Sequence, residues 1–248
     1  MGFVQHLADL TYPEAEKALR GSTCLLPVGA VEAHGPHLPL STDTILSEEV
    51  ARRAAGKLAE WKPTAVILPA LAVTPAKFAA SFAGTLSLSE GTAAAYVCEV
   101  ARSLEKHGAL KLVLISAHVD PGNLKALHAA VEAMKASSKI KVIFPDITQK
   151  PWVSRLPDEF RKGGAHAGNF ETSMMMAAKG KAVRESERIG LARVDVDLGA
   201  KIREGAKNFE DCGGPFGYFG DPASASKEEG ERCLDLLRDI VVEAATAE

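Results

Sequence analysis

Four short apolar runs recur along the first 150 positions: CLLPVGA (24–30), AVILPAL (65–71), KLVLISA (111–117) and KVIFPDI (141–147). None of them alternates apolar with polar, so each predicts a strand buried on both faces. Between the runs, apolar residues fall at helical spacing. TILSEEVARRAAGKLAEW (44–61), SEGTAAAYVCEVARSLEKHG (89–108) and NLKALHAAVEAMKAS (123–137) each predict a helix. The second closes on Lys106, His107 and Gly108, a basic last turn followed by a glycine stop. Strand and helix alternate. That order predicts an α/β fold in which a mostly parallel sheet is covered by helices on both sides.

Beyond residue 150 the pattern changes. PWVSRLPDEFRKGGAHAGN (151–169) reads as a long loop and NFETSMMMAAKG (169–180) as a short helix. The stretch 193–226 is irregular and rich in glycine, and KEEGERCLDLLRDIVVEAATAE (227–248) is a closing helix. No repeat or low-complexity linker divides the chain, so residues 1–248 read as one domain with functional loops. Met174, Met175 and Met176 read as helix packing.

Composition narrows the function classes. Hydrophobic residues make up 46% and charged residues 25% of the chain, as in soluble globular proteins. A formal net charge of -3 gives no electrostatic pull toward nucleic acid or an anionic membrane. No run reaches the roughly 18 apolar residues that a membrane span needs. The start, MGFVQHLADLTYPEAE, has no basic stretch leading into an apolar one, so no signal peptide is expected and the expected location is cytoplasmic. Cys24, Cys98, Cys212 and Cys233 are too widely spaced for a disulfide framework or a CxxC metal site and read as buried thiols.

The candidate chemistry lies where strands end. Glu32 and His34 directly follow the first strand, Asp43 stands at the start of the next helix, and His118 and Asp120 follow KLVLISA. Ligands of open α/β sheets bind outside the carboxyl ends of the strands, so these five residues converge on one rim. Residues two apart in an extended segment point the same way, which suits both E-x-H and H-x-D. Imidazole and carboxylate ligands fit Zn²⁺, Mn²⁺ or Fe²⁺. Plainer roles are open at each position. Asp43 could cap its helix, Glu32 and His34 could be solvated loop groups, and Asp120 before Pro121 could make a turn.

Five blocks, in order, carry a family resemblance. PVGAVEAHGPHLPLSTD (27–43), FAGTLSL (82–88), ISAHVDPGNLKAL (115–127), HAGNFETSMM (166–175) and FGDPASASKEEG (219–230) are similar to the motifs of the creatininase (creatinine amidohydrolase) family. The resemblance implies a three-layer αβα sandwich. It also implies a centre of one or two divalent cations, zinc with manganese or iron as alternatives. By motif position it assigns metal binding to Glu32, His34, Asp43 and His118, with Asp43 bridging if two cations bind. His166 matches the histidine that assists proton transfer. Glu171 matches either a ligand or a supporting carboxylate with a part in catalysis.

This chain also departs from the family pattern. HVDPGN replaces the usual HGGN, and Asp120 takes the place of a glutamate that binds the second metal in creatininases, one methylene shorter. Gly122 and Asn123 are expected beside the substrate. VTPAKFAAS (73–81) lacks the usual histidine in a region that shapes the substrate pocket. Trp152 lies in the loop where creatininases set aromatic rings against the substrate.

The implied activity is hydrolysis of an amide or cyclic amide C–N bond of a small molecule by a metal-activated water, in a homo-oligomer of the hexameric creatininase kind. Two alternatives stand beside it: a mononuclear formamide deformylase or peptidase on the same scaffold, and a non-catalytic paralogue that binds a ligand or partner.

Overall fold

The computed structural model describes residues 4–60, 65–164 and 166–247. In chain order the strands and helices are β1 (Gln5–His6), α1 (Tyr12–Leu19), β2 (Thr23–Val28), α2 (Thr42–Leu58), β3 (Ala65–Ile67), α3 (Glu90–Lys106), β4 (Lys111–Ser116), α4 (Pro121–Ser137), β5 (Lys141–Ile143), α5 (Asp158–Arg161), α6 (Asn169–Lys179), α7 (Glu185–Arg188), α8 (Leu198–Arg203) and α9 (Lys227–Thr246). The strands pair in the order β1-β3-β2-β4-β5, and every pairing is parallel. The expected α/β sandwich is present.

Side-chain alternation along the central strands builds two cores. Leu25, Val113 and Ile115 pack with α2, α6 and α9 on one face. Cys24, Leu26, Leu112 and Leu114 pack with α1, α3 and α4 on the other. Right-handed crossovers explain the division. The connection from β2 to β3 runs one way across the sheet and lays α2 on the first face. The connections from β1 to β2, β3 to β4 and β4 to β5 run the other way and lay their helices on the second. The chain reverses direction beside β2, which leaves a crevice between the carboxyl ends of β2 and β4.

The strands are shorter than their apolar runs. After Val28 the chain leaves the ladder, keeping isolated bridges from Val28 to Leu71 and from Val31 to Leu86, and Leu71 N–H donates to the Pro27 carbonyl at 2.9 Å. Residues 29–30 and 117 thereby become the bases of loops. The helices match their expected positions within a few residues, although Trp61 and Glu248 lie outside the described residues. Three elements had no reading in the sequence: the two-residue strand β1, the four-residue α7, and α1, which starts with a Thr11–Glu14 capping box; the short helices α5 and α8 lie in stretches that the sequence read as loop and as irregular. All four cysteines are buried and free. Met174 and Met175 are buried in the core beneath α6. No helix among the described residues is long and apolar enough to cross a membrane.

Helix α9 crosses α6 at Gly230, where an added Cβ would lie 1.9 Å from the Ser173 carbonyl oxygen. The contact exists because glycine has no side chain there. Gly230→Ala is expected to cost about 1–3 kcal/mol, as overpacking does. Gly56→Ala in α2, where an added Cβ meets nothing within 4 Å, is expected to gain up to about 1 kcal/mol from helix propensity. Urea unfolding of both variants, with unchanged slope, checks this; equal midpoints would refute the close crossing.

Candidate metal centre

Three segments deliver the polar groups to the crevice. The loop after β2 brings Glu32 and His34, and its return brings Asp43 in the first turn of α2. The turn after β4 brings His118. The entry to α6 brings His166 and Glu171. The first loop is folded back on itself: Glu32 N–H donates to the Leu40 carbonyl at 3.0 Å, and Gly35 N–H to the Gly217 carbonyl at 2.8 Å. Gly35 has a left-handed backbone (φ +63°), and a Cβ there would strike the His37 ring at 2.8 Å.

All six groups are buried. Asp43 is central. Its Oδ1 is 3.1 Å from His34 Nε2, and its Oδ2 is 3.2 Å from His118 Nδ1. Glu32 Oε1 is 3.2 Å from His118 Nδ1, 3.8 Å from His166 Nδ1 and 4.0 Å from His34 Nε2. Glu171 Oε2 is 3.6 Å from His34 Nε2. Three ligand sets result: Glu32 with Asp43 and His118, His34 with Asp43 and Glu171, and Glu32 with His34 and His166.

The outer nitrogens fix the tautomers. His34 Nδ1 lies 3.1 Å from the Glu32 carbonyl, His118 Nε2 2.7 Å from that of Pro75, and His166 Nε2 2.9 Å from that of Ala33. A carbonyl only accepts, so each of these nitrogens donates. The second nitrogen of every ring therefore faces the carboxylates. Holding the far N–H on a backbone carbonyl is how proteins orient metal-binding histidines. Glu32 Oε2 is buried without a hydrogen-bond partner, and Asp43 Oδ2, also buried, has the His118 imidazole at 3.2 Å. Buried carboxylate oxygens rarely go unpaired, and the same two carboxylates present Glu32 Oε1 and both Asp43 oxygens to a set of nitrogens suited to a divalent cation. The donor set fits a metal.

Without a cation, protons balance the charge. Burial opposes a charge on His34, but Asp43, then Glu171 and Glu32, carry it up to about 10. His118 is likewise raised, with Glu32 and Asp43 overcoming burial. Burial acts against an ionised Asp43 too, yet the charges of His34 and His118 hold it well below the ordinary carboxylate range. Burial pushes Glu171 up to about 8 and also raises Glu32. Burial, and then the charge on His34, keeps His166 neutral.

The other sequence candidates fall elsewhere. Asp120 caps α4: its Oδ1 accepts from Gly122 N–H at 2.7 Å and its Oδ2 from Phe78 N–H at 3.3 Å. It stands in the pocket wall and joins none of the ligand sets. The Gly122 N–H is thereby taken. The Asn123 amide donates to the His118 carbonyl at 2.8 Å and to Ser116 Oγ at 3.1 Å, so it braces the turn that carries His118. Trp152 packs against the core, with the Arg155 guanidinium 5.7 Å from its ring, and is not a wall of this pocket. Asp43 does not cap α2, whose N-cap is Ser41; its carboxylate oxygens lie against His34 and His118.

The walls above the cluster are Phe78, Val119, Pro121, Leu198, Ile202 and Phe209, enclosing a cavity of about 30 Å³. The Phe209 ring lies 4.3 Å from that of His166, which lies 4.4 Å from that of His34. Phe78 falls in the VTPAKFAAS stretch already marked as unusual. Leu198, Ile202 and Phe209 come from the irregular segment, where no periodicity pointed to them. A larger hollow of about 390 Å³ near His6, Glu48 and Lys179 holds no comparable ligand set among the described residues.

A parallel sheet with a buried carboxylate–imidazole cluster at its switch point presents a donor set suited to a divalent cation, and the comparisons with known proteins identify the class as a family of hydrolases. The family model described as creatinine amidohydrolase matches residues 8–245. A mycofactocin precursor peptide peptidase from Mycobacterium ulcerans is 31% identical over 224 residues, covering 88% of this chain and 82% of that one. A creatinine amidohydrolase from Pseudomonas putida is 29% identical over 188 residues, 69% of this chain and 70% of that one. Two solved creatininase structures, one described as Mn and one a mutant of Zn–Zn type, superpose with a TM-score of 0.73 at 24% identity, covering 98% of this chain and 97% of theirs. The chain belongs to the creatininase family, whose members are metal-dependent amidohydrolases.

Binding of a divalent cation to the cluster at pH 7 is expected to release protons from His34 and His118, and a further one from Glu171 below pH 8. Release should fall away above about pH 10, where His34 is already neutral. Titrating the metal-free protein with Zn²⁺ in weak buffer measures it, and uptake without proton release would refute the assignment.

Proposed function

We propose that the chain hydrolyses an amide C–N bond at a two-cation centre, with Glu32, Asp43 and His118 holding one ion and His34, Asp43 and Glu171 the other. The observation that carries this reading is the set of three imidazoles, each with its outer N–H tied to a backbone carbonyl and its free nitrogen turned on shared carboxylates. A divalent cation held there supplies Lewis acidity and makes hydroxide available at neutral pH.

The chain's own residues do the rest. Asp43 spans both positions, since each of its oxygens faces a different histidine. His166 is neutral and its Nδ1 is bare, so it takes up the proton released by the attacking water and delivers it to the leaving nitrogen. The Ala33 carbonyl holds the ring in the orientation this transfer needs. Asn123 keeps the His118 turn in place. Phe209 covers the His166 ring and excludes water from the proton path.

Pocket chemistry favours one substrate class within this activity. The walls are apolar, Trp152 is turned to the core, and Asp120 is committed to a helix cap. These features suit an amide flanked by an apolar side chain, as in a short peptide, better than a small polar ring. The similarity to a peptide peptidase points the same way. The intact ligand cluster speaks against a non-catalytic role.

Replacing Glu32 or His34 with Ala is expected to abolish metal binding and hydrolysis while circular dichroism stays that of the parent; elemental analysis and an amidase assay check it, and a fully active metal-free variant would overturn the centre. Across short apolar peptides, N-formyl amines and creatinine, the peptides are expected to turn over fastest, and Ile202→Ala is expected to change KM more than kcat. Rapid creatinine hydrolysis with inert peptides would reverse the substrate reading.

A further inference from the structure

Whether Glu171 can serve as a ligand depends on where its carboxylate points, and one backbone residue sets that direction. Ala167 has a left-handed backbone (φ +52°), alone among the described non-glycine residues. That region is disfavoured for L-residues because Cβ crowds the carbonyl oxygen. Alanine has no polar side chain to offset the strain, and the position is fully buried. In this conformation Ala167 N–H donates to Glu171 Oε2 at 2.6 Å.

The carbonyl of the same residue is engaged as well. Thr172 Oγ1 lies 3.3 Å from the Ala167 carbonyl oxygen, and His37 Nε2 lies 2.8 Å from the same hydroxyl. A hydroxyl has one proton to give. When Thr172 gives it to the carbonyl, His37 Nε2 is the donor to Thr172 and His37 Nδ1 is left bare. That nitrogen is indeed buried without a partner. His37 and Thr172 are both completely buried, and neither lines the pocket above the cluster. Their side chains meet the segment that leads to Glu171 at the Ala167 carbonyl.

We propose that Thr172, oriented by His37, is a positioning residue that pins the Ala167 carbonyl, keeps Ala167 left-handed, and so aims Glu171 at the cation position it shares with His34 and Asp43. The inference rests on the cation-centre reading given above. A pair that merely fills the core makes a different prediction. Only a clamp on backbone handedness is made unnecessary by glycine at 167, which takes a positive φ without strain.

Equilibrium dialysis of the full chain against Mn²⁺, and separately Zn²⁺, tests the clamp on wild type, Thr172→Val, Thr172→Ser and the double variant Thr172→Val/Ala167→Gly. Thr172→Val is expected to lower affinity by about 10- to 100-fold, the usual effect of losing a group that orients a ligand. Thr172→Ser, which keeps the hydroxyl, is expected to bind close to wild type. The double variant is expected to recover most of the loss. Wild-type affinity in Thr172→Val, or a loss that Ala167→Gly leaves uncorrected, overturns the proposal. If Thr172→Val does not fold, Thr172→Ala with and without Ala167→Gly is read by the same two outcomes. A wild-type chain that takes up neither metal overturns the centre itself, and the clamp with it, before any substitution is compared.

Discussion

A carboxylate removed from water must find positive charge within a few ångström, and Asp43 finds it on both oxygens. That requirement organises the molecule around it. His34 must come from the loop after β2 and His118 from the turn after β4, so these two strands must be neighbours and end at the same level. They are, because the crossovers reverse direction beside β2. The crevice that follows from strand order is filled by a cluster whose charges suit a proton or a cation.

The support around the cluster is mostly backbone. Three carbonyls, from Glu32, Ala33 and Pro75, hold the three imidazoles. Two of them belong to the loop that also supplies ligands. A mutation of side chains alone cannot remove these acceptors, so the orientation of the rings is protected against most single substitutions. The exposed part of the design is where side chains do this work, at Asn123 beneath His118 and at Thr172 beside Ala167.

Much of this was readable in the chain before folding. Glu32, His34, Asp43 and His118 sit where apolar runs stop, and a parallel sheet brings run ends together. His166 and Glu171 were reached through family resemblance, because nothing in their local spacing says which rim they approach. Asp120 shows the limit of position-based reading. A short carboxylate directly before Pro121 and Gly122 reaches the free N–H at the start of α4 first, and the helix start outcompetes the cluster for it. The walls were least legible. Phe78 and Phe209 meet through a backbone bond between segments far apart in sequence, from Phe209 N–H to the Phe78 carbonyl, and no period within either segment encodes that meeting.

The size of the cavity also bears on turnover. A space of about 30 Å³ accommodates one or two waters, far less than any amide with a side chain. Leu198 and Ile202, one helical turn apart on the six-residue α8, form part of the cover, and their segment is joined to the opposite wall by the Phe209–Phe78 backbone bond, a surface contact between Ser81 and Glu210, and an apolar cluster in which Phe78, Ala79 and Phe82 pack against Phe209 and Leu198. An amide with a side chain reaches the cluster only when these two segments part. For a substrate of that size, the frequency of such an opening would set a ceiling on turnover, however fast the bond is broken once the substrate is inside.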